Sequence, residues 1–339
     1  MDRTRYLELL EQFRARRVGV VGDFLLDQYI IGTSARVSRE APIVVVDYQE
    51  TVYHPGGAAN AAQNITALGG GATAVGVVGA DREGDALAQL LDARGVDVEG
   101  LIRERDAMTS TKLRILAGEM NAQKQQVARV DRSHRLAGTT ALNTRVRNLI
   151  DRAVAACDVL LLADYGLGVL APDIIAHTMA RCAAERRPTV VDSRRRLLEF
   201  RGATVATPNE VEAMEALGLG SEAELTDGAA LARRVAGTGI ENLIVTRGSK
   251  GMVVCSARGA YTSLGIAGSH QATDVTGAGD TVSAVVALSL AAGASLEEAA
   301  QMATFAASVV VMKRGTATAS PGEVRGAIEN SSIEKEARA

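Results

Sequence analysis

The sequence predicts an α/β fold in which a mostly parallel central sheet, covered by helices on both faces, carries a second and smaller sheet. Three observations predict it. Short apolar runs alternate with helix-period segments through most of the chain, the pattern of repeated strand–helix–strand units. Two stretches break that alternation, being β-rich with no helical period. Hydrophobic residues make up 47% of the 339, enough to bury a sheet on both sides.

The charged, amphipathic opening MDRTRYLELLEQFRARR reads as a helix entering a first strand, Arg17–Gly22 (RVGVVG). The first β-rich stretch, Tyr29–Tyr53, follows. Asn60–Leu68 then reads as a helix, Ala72–Val78 as a strand, and Arg82–Arg94 as a helix ended by Gly95. The second β-rich stretch is Gly100–Asp131, with TSTKLRILAG and QKQQVARVD. Leu142–Val154 sets apolar residues at 142, 146, 149, 150 and 154, one stripe of a helix. Strands recur at Val159–Ala163, Thr189–Asp192 and Asn242–Thr246, with helices near Pro172–Glu185, Glu210–Leu217 and Ala229–Ala236. A long small-residue helix starts at about Thr281, and the alternation runs to about Ile328. The expected organisation is one domain over 1–328, a β lid built from about 29–53 and 100–131, and a polar tail over 329–339. The two β-rich insertions flank the first strand–helix–strand portion, so they can meet in space.

Composition excludes several classes of function. Lys plus Arg (37) nearly balances Asp plus Glu (40), a net charge of −3, which argues against coating nucleic acid or an anionic membrane by bulk charge. Aromatic residues are 3% and Trp is absent, so stacking platforms for single strands are not expected. Cys157, Cys182 and Cys255 have no paired spacing, which fits a reduced, cytoplasmic protein better than a disulfide or zinc scaffold. The N-terminus has no apolar core of a signal peptide. The uncharged run Thr281–Leu296 is 16 residues, rich in Ala, Gly and Ser, against the ~20 strongly apolar residues that a membrane span needs.

The strongest local signal is Asp274-Val-Thr-Gly-Ala-Gly-Asp280 before the small-residue helix. Glycines at a helix start leave backbone N–H groups of Gly277, Ala278 and Gly279 free at the positive end of the dipole, an anion hole for phosphate. A carboxylate directly after it, Asp280, repels a bound phosphate unless it accepts the proton of a hydroxyl attacking that phosphate. An ordinary glycine turn with Asp280 as a helix-start residue fits the same letters. The second signal is His54-Pro-Gly-Gly-Ala-Ala-Asn60. Gly56 and Gly57 admit close backbone approach, and Asn60 offers a donor and an acceptor to sugar hydroxyls; an asparagine satisfying a local turn fits equally.

Together the two motifs resemble the two signatures of the ribokinase-like (PfkB) carbohydrate kinases. The first runs from Gly56-Gly57 through Asn60 and Ala62 to Gly69 and Gly79, and the second is Asp274–Asp280. The resemblance spans about Val18 to Val324. It is similar in particular to the D-glycero-β-D-manno-heptose-7-phosphate kinases of the ADP-heptose pathway, on VVGDFLLD (Val20–Asp27), RVSREAPIVVV (Arg36–Val46), PGGAAN (Pro55–Asn60), TKLRIL (Thr111–Leu116), ARVD (Ala128–Asp131), ADYGLGVL (Ala163–Leu170), RGATVATPNEVE (Arg201–Glu212), VTRGSKGM (Val245–Met252) and DVTGAGDT (Asp274–Thr281). The resemblance implies a ribokinase-like fold whose lid covers the sugar and makes a homodimer contact. It implies ATP and Mg²⁺ as cofactors, a monovalent cation such as K⁺ near Asp274–Thr276, and phosphorylation of heptose 7-phosphate at its anomeric hydroxyl.

Carried over by position, Asp280 is the base, and Gly277, Ala278 and Gly279 are the anion hole. Asp27 grips sugar hydroxyls with help from Asp23, and Gly56, Gly57 and Asn60 line the sugar. Asn209 and Glu212 form an NxxE element acting on Mg²⁺ and the nucleotide phosphates, although Asn209 also suits a helix cap. Thr246, Arg247, Gly248 and Gly251 support the nucleotide. Lys112, Arg114 and Arg129 alternate on lid strands and can present one cationic face to the far phosphate of a phosphorylated sugar; a solvated lid face reads the same way. Arg194, Arg195 and Arg196 follow a strand end, where α/β proteins bind ligands.

Two departures bear on the substrate. Leu167 stands where the DYxKG element has lysine, and Ser193-Arg194 replaces the Pro-Lys of a DPK element; arginine is not a neutral exchange for lysine at a phosphate. Neither GxGxxG after the first strand nor a P-loop is present, which disfavours a dinucleotide enzyme or P-loop kinase. His54, His134, His177 and His270 form no pair of the kind a nucleotidyltransferase uses, and the kinase unit alone is expected. Another PfkB sugar or nucleoside kinase is the alternative; a silent sugar-phosphate sensor is disfavoured by the intact Asp280 and glycine turn. The expected partners are a small sugar and ATP, with no nucleic acid and no membrane.

Overall fold

A computed structural model describes residues 3–38, 40–119, 124–268 and 272–331. Its first half runs α1 (Arg3–Gln12), β1 (Arg17–Gly22), β2 (Phe24–Val37), β3 (Val44–Gly57), α2 (Ala58–Ala67), β4 (Gly71–Gly79), α3 (Arg82–Asp92), β5 (Val96–Asp97), β6 (Leu101–Glu104), β7 (Thr111–Gly118), β8 (Gln125–Arg132) and α4 (Thr140–Ala156). The second half runs β9 (Val159–Asp164), α5 (Pro172–Ala184), β10 (Thr189–Ser193), β11 (Val205–Ala206), α6 (Glu210–Leu217), α7 (Glu222–Thr226), α8 (Gly228–Thr238), β12 (Asn242–Thr246), β13 (Met252–Ser256), β14 (Tyr261–Leu264), α9 (Ala278–Ala291), α10 (Leu296–Val310) and α11 (Pro321–Asn330). Arg39, His270 and residues 332–339 of the expected polar tail lie outside the described residues; α11 itself runs two residues past Ile328.

The central sheet has ten strands in the order β14-β13-β12-β11-β10-β9-β1-β4-β5, with β6 also on β4. All pairings are parallel except the two at one edge, β12 with β13 and β13 with β14. Strand alternation sends side chains to two cores. Val20, Leu161, Val190 and Ile244 pack under α2, α9 and α10. Val21, Leu162, Val191 and Val245 pack under α4, α5 and α8. With both faces covered, β9 is buried at every position, which is why the parallel strands read as unbroken apolar runs. Helix α9 is buried from Asp280 to Ser289. Its small residues allow close approach to α2 and α10, and the uncharged run is a core helix. It begins at Ala278, earlier than about Thr281. The three cysteines are buried and unpaired. Among the described residues no helix is long and apolar enough to cross a membrane.

The small sheet has the order β3-β2-β7-β8. Its bounds differ from the expectation. β2 starts at Phe24, directly after β1, and β3 runs to Gly57, so the hairpin springs from the central sheet's ligand end. The segment Leu101–Glu104, inside the second β-rich stretch, joins β4 in the central sheet. Leu101 and Ile102 are buried there, and β propensity alone does not say which sheet an apolar dipeptide joins. One face of the small sheet stays open: Tyr48 is 65% exposed, and Val127 and Val130 nearly half.

Gln301, in the middle of α10, is 1% exposed, and among the described residues neither its Nε2 nor its Oε1 has a hydrogen-bond partner. Unsatisfied buried amide atoms cost about 1–3 kcal/mol. Gln301→Met keeps the chain length and removes both atoms. It is expected to raise the urea midpoint by the equivalent of about 1 kcal/mol; an unchanged or lower midpoint refutes this.

Candidate active site

The first turn of α9 sets the site. Gly277, its N-cap, has φ +78°, and a Cβ there would lie 2.5 Å from Asn60 Nδ2. Only glycine gives both the left-handed turn and the close approach. The turn brings Asp280 to the ligand ends of the central strands with its carboxylate buried. One oxygen accepts from the Tyr165 hydroxyl and the other from Asn60 Nδ2 at 2.7 Å. Burial raises the Asp280 carboxyl above the usual aspartate range; the Tyr165 and Asn60 hydrogen bonds, then the charges of Lys112 and Arg194, oppose this. Asp192 at the end of β10 is raised too, by burial and then by the charge of Asp280. Burial and Asp280 together push the Tyr165 phenol well up.

Among the described residues the N–H groups of Gly277, Gly279 and Asp280 have no hydrogen-bond partner, whereas Ala278 N–H donates to the Val275 carbonyl at 3.2 Å. Ala278 is therefore the member of the expected anion hole whose N–H is already used. A Cβ on Gly279 would meet nothing within 4 Å. That side of the turn faces open space with a helix dipole behind it.

Asn60, expected to line the sugar, has its amide engaged by protein groups. It is fully buried at the start of α2, its Nδ2 on Asp280 and its Oδ1 accepting from Gln63 (2.7 Å) and Asn64 (3.2 Å). With its amide occupied it holds Asp280 in place. Asp23 is also redirected. Its Oδ2 accepts from the N–H groups of Tyr165 (2.8 Å) and Leu167 (3.0 Å), and its Oδ1 from Val169 (3.2 Å). Burial raises its carboxyl, against those same three bonds. Gly57 is a packing glycine: a Cβ would meet Leu25 Cδ1 at 2.7 Å and the Asp23 carbonyl at 2.8 Å.

Asp27, Lys112, Arg114 and Arg129 come together on the small sheet. The register pairs Asp27 with Lys112 and Arg114 with Arg129, so the three cations share a face. Arg114, nearly buried, donates to Asp27 Oδ1 at 2.9 Å and lies over the Tyr29 ring. A Cβ on Gly56 would stand 3.0 Å from Asp27 Cγ, so glycine leaves that carboxylate its space. Arg129 forks instead onto Asp131 at 2.9 and 3.0 Å.

Of the residues expected to act on Mg²⁺ and the nucleotide, Asn209 and Glu212 cap α6 reciprocally, each bond 2.9 Å. One oxygen of Glu212 is thus occupied, and burial raises its carboxyl. Thr246 lies beside Asn209 through a bridge and donates its N–H to Pro208. Arg247 is ion-paired: its guanidinium bonds Glu210 (3.3 Å) and Glu222 (2.8 Å). Gly248 is open, while a Cβ on Gly251 would strike the Leu264 carbonyl. Asp274 accepts from Thr276 N–H (2.9 Å) and Gly315 N–H (2.8 Å), tying two loops beside the turn.

Two contributors carry roles that the sequence does not show. Tyr165 and Asp164 lie inside a quoted motif, yet nothing in their letters says that Tyr165 binds Asp280, or that Asp164 takes Ser193 Oγ (2.7 Å) and Arg196 (2.6 and 3.2 Å). The arginine run also divides. Arg196 is a half-buried partner of the buried Asp164, while Arg194 lies over the Tyr165 ring. Leu167 lines a shallow groove with Phe24, Met108, His134 and Leu136.

A glycine turn at a helix start, a buried carboxylate behind it and a β lid over it define an ATP-dependent carbohydrate kinase of ribokinase-like fold. The chain belongs to the pfkB family of carbohydrate kinases, which it matches over residues 16–322. It is 34% identical over 333 residues to the Bifunctional protein HldE of Trichlorobacter lovleyi (97% of this chain, 66% of that protein). To the HldE of Gluconobacter oxydans it is 38% identical over 320 residues (93% and 65%). The chain thus spans about two thirds of the length of these curated relatives. Among solved structures it is similar to Arabidopsis thaliana ribokinase complexed with ribose and ATP (TM-score 0.70, 20% identity, 93% of this chain and 99% of that one). It is also similar to Escherichia coli phosphofructokinase-2 in complex with potassium (TM-score 0.73, 18% identity, 93% and 98%). These structures share its fold.

Proposed function

We propose that the protein phosphorylates D-glycero-β-D-manno-heptose 7-phosphate at the anomeric hydroxyl, with ATP as donor, giving the 1,7-bisphosphate and ADP. The observation that carries the reading is Asp280: a buried carboxylate of raised pKa in the first helical turn, beside backbone N–H groups without partners. Heptose phosphate as acceptor is supported by the HldE relatives and by the cationic lid face of Lys112 and Arg114.

In the proposed reaction the acceptor oxygen forms its bond to the γ-phosphorus while the bond from phosphorus to the ADP oxygen breaks. Asp280 takes the hydroxyl proton, and the N–H groups of Gly277 and Gly279 receive charge on the phosphoryl oxygens. Tyr165 and Asn60 hold the carboxylate in line, and Asp27, fixed by Arg114, takes sugar hydroxyls. Mg²⁺, when bound, neutralises the phosphate charge. Glu212 keeps one carboxylate oxygen outside its cap for that purpose. Among the described residues no group of three ligating side chains is found; Glu212 would hold the ion together with phosphate oxygens and water. The Asp274 loop suits a monovalent cation, the open face of the small sheet suits a second copy of the chain, and the setting is cytoplasmic. Leu167, where the DYxKG element has lysine, supports a second reading in which another sugar phosphate is the acceptor.

The test is acceptor-dependent ADP release from Mg·ATP, with heptose 7-phosphate, fructose 6-phosphate, ribose, fructose and adenosine, and the Asp280→Asn protein as blank. Turnover on heptose 7-phosphate above all others is expected. Turnover on a different sugar moves the substrate, and silence on every sugar overturns the reading.

A further inference from the structure

The arginine that leaves β10 has no carboxylate. Ser193 is buried on Asp164, and Arg196 grips the same Asp164 and the Leu170 carbonyl at 2.7 Å. These anchors fix the backbone on both sides of Arg194 and leave its side chain exposed. Among the described residues no acidic group lies within ion-pair distance of it. Its guanidinium carbon sits 4.5 Å from the centre of the Tyr165 ring, whose hydroxyl binds Asp280. Lys112, from the small sheet, sets its ammonium 5.3 Å from the same ring centre. Two cations drawn to one ring repel, and burial and Arg194 both depress the Lys112 ammonium. The carboxylates of Asp27 and Asp280 offset part of that repulsion at Lys112, and a bound anion between the two cations would offset more.

Position separates the two cations. Lys112 is register partner to Asp27 on the lid, hence on the acceptor side. Arg194 extends from the central sheet, and its charge acts on Glu212 across the nucleotide side as well as on Asp280. A guanidinium matches two phosphate oxygens at once, which an ammonium cannot.

Resting on the kinase reading above, we infer that Arg194 is the donor-side cation that grips the γ-phosphoryl group of ATP during transfer, while Lys112 faces the acceptor. The test compares binding of ADP and of the non-hydrolysable β,γ-methylene analogue of ATP by calorimetry, in wild type, Arg194→Gln and Arg194→Lys, with no acceptor needed. Arg194→Gln is expected to weaken the analogue about tenfold, the worth of a charge-assisted contact, and ADP less than about twofold. Arg194→Lys should restore part of the loss. With the acceptor identified, kcat of Arg194→Gln should fall about thirtyfold at unchanged acceptor KM, less than for a buried oxyanion donor because the group is exposed. Equal weakening of ADP and analogue, or no weakening, overturns the inference alone. A wild-type protein that binds neither nucleotide overturns the kinase reading and this inference with it.

Discussion

Asp280→Asn is expected to lower kcat about a thousandfold, the scale of a lost general base, while ADP affinity stays within about twofold because the change is isosteric and distant from the adenine side. An amide at this place still fits between Tyr165 and Asn60, and it cannot take a proton. The pH profile gives an independent check. Burial holds the Asp280 carboxyl above the ordinary aspartate range, and only the ionised form is a base. Wild-type kcat should therefore decline as pH falls through that raised value, and the residual activity of Asp280→Asn should lack this limb. Stability should move the other way. A carboxyl whose pKa is higher folded than unfolded favours the folded state at low pH and loses that favour as pH rises through the folded value. Once ionised, Asp280 is thus a burden, and at a pH above its raised pKa Asp280→Asn should melt no lower than wild type. Near-normal turnover refutes the base, and a collapse in melting temperature refutes the account of its burial.

Much of this site was legible because the signals were local. Asp280 and the glycine turn are seven consecutive letters whose chemistry follows from a helix start, and the alternation of apolar runs dictated the doubly covered sheet. Contacts across the chain were not legible. Asn60 reads as a sugar ligand until α2 packs on α9 and its amide is found occupied by Asp280, Gln63 and Asn64. Arg247 reads as a nucleotide contact until Glu210 and Glu222 are seen to hold it. Arg129 reads like Arg114, but Asp131 two residues on lies on the same strand face and claims it. In each case the residue type was suited to a ligand and a protein partner took it. The strand Leu101–Glu104 reads as part of the small sheet and pairs with β4 instead for a related reason: period and propensity describe a strand, and its neighbour is fixed only by tertiary packing.

Asp23→Ala should separate what that carboxylate does from what its position suggests. Its oxygens receive three backbone N–H groups, from Tyr165, Leu167 and Val169, and so hold the loop that carries Tyr165 to Asp280. Alanine leaves three donors without an acceptor in a partly buried loop, at a cost of about 2–4 kcal/mol once water repairs part of the loss. Arg196 still binds the Leu170 carbonyl and Asp164 still binds Gly166, so the loop's ends stay attached and the fold survives. Its middle does not stay in register. Displacement of Tyr165 by about 1 Å would misalign Asp280 and lower kcat about a hundredfold, with nucleotide affinity unchanged, since α6 and the Gly248 turn are held by other bonds. Asp23→Asn should fall between. Its carbonyl oxygen can keep Tyr165 and Leu167, but its NH2 group opposes the Val169 N–H. The kinetic split decides the role. A fall in kcat at constant acceptor KM identifies a positioning residue, whereas a raised acceptor KM at constant kcat returns Asp23 to the sugar, and a lowered melting temperature alone shows that Tyr165 is held without it.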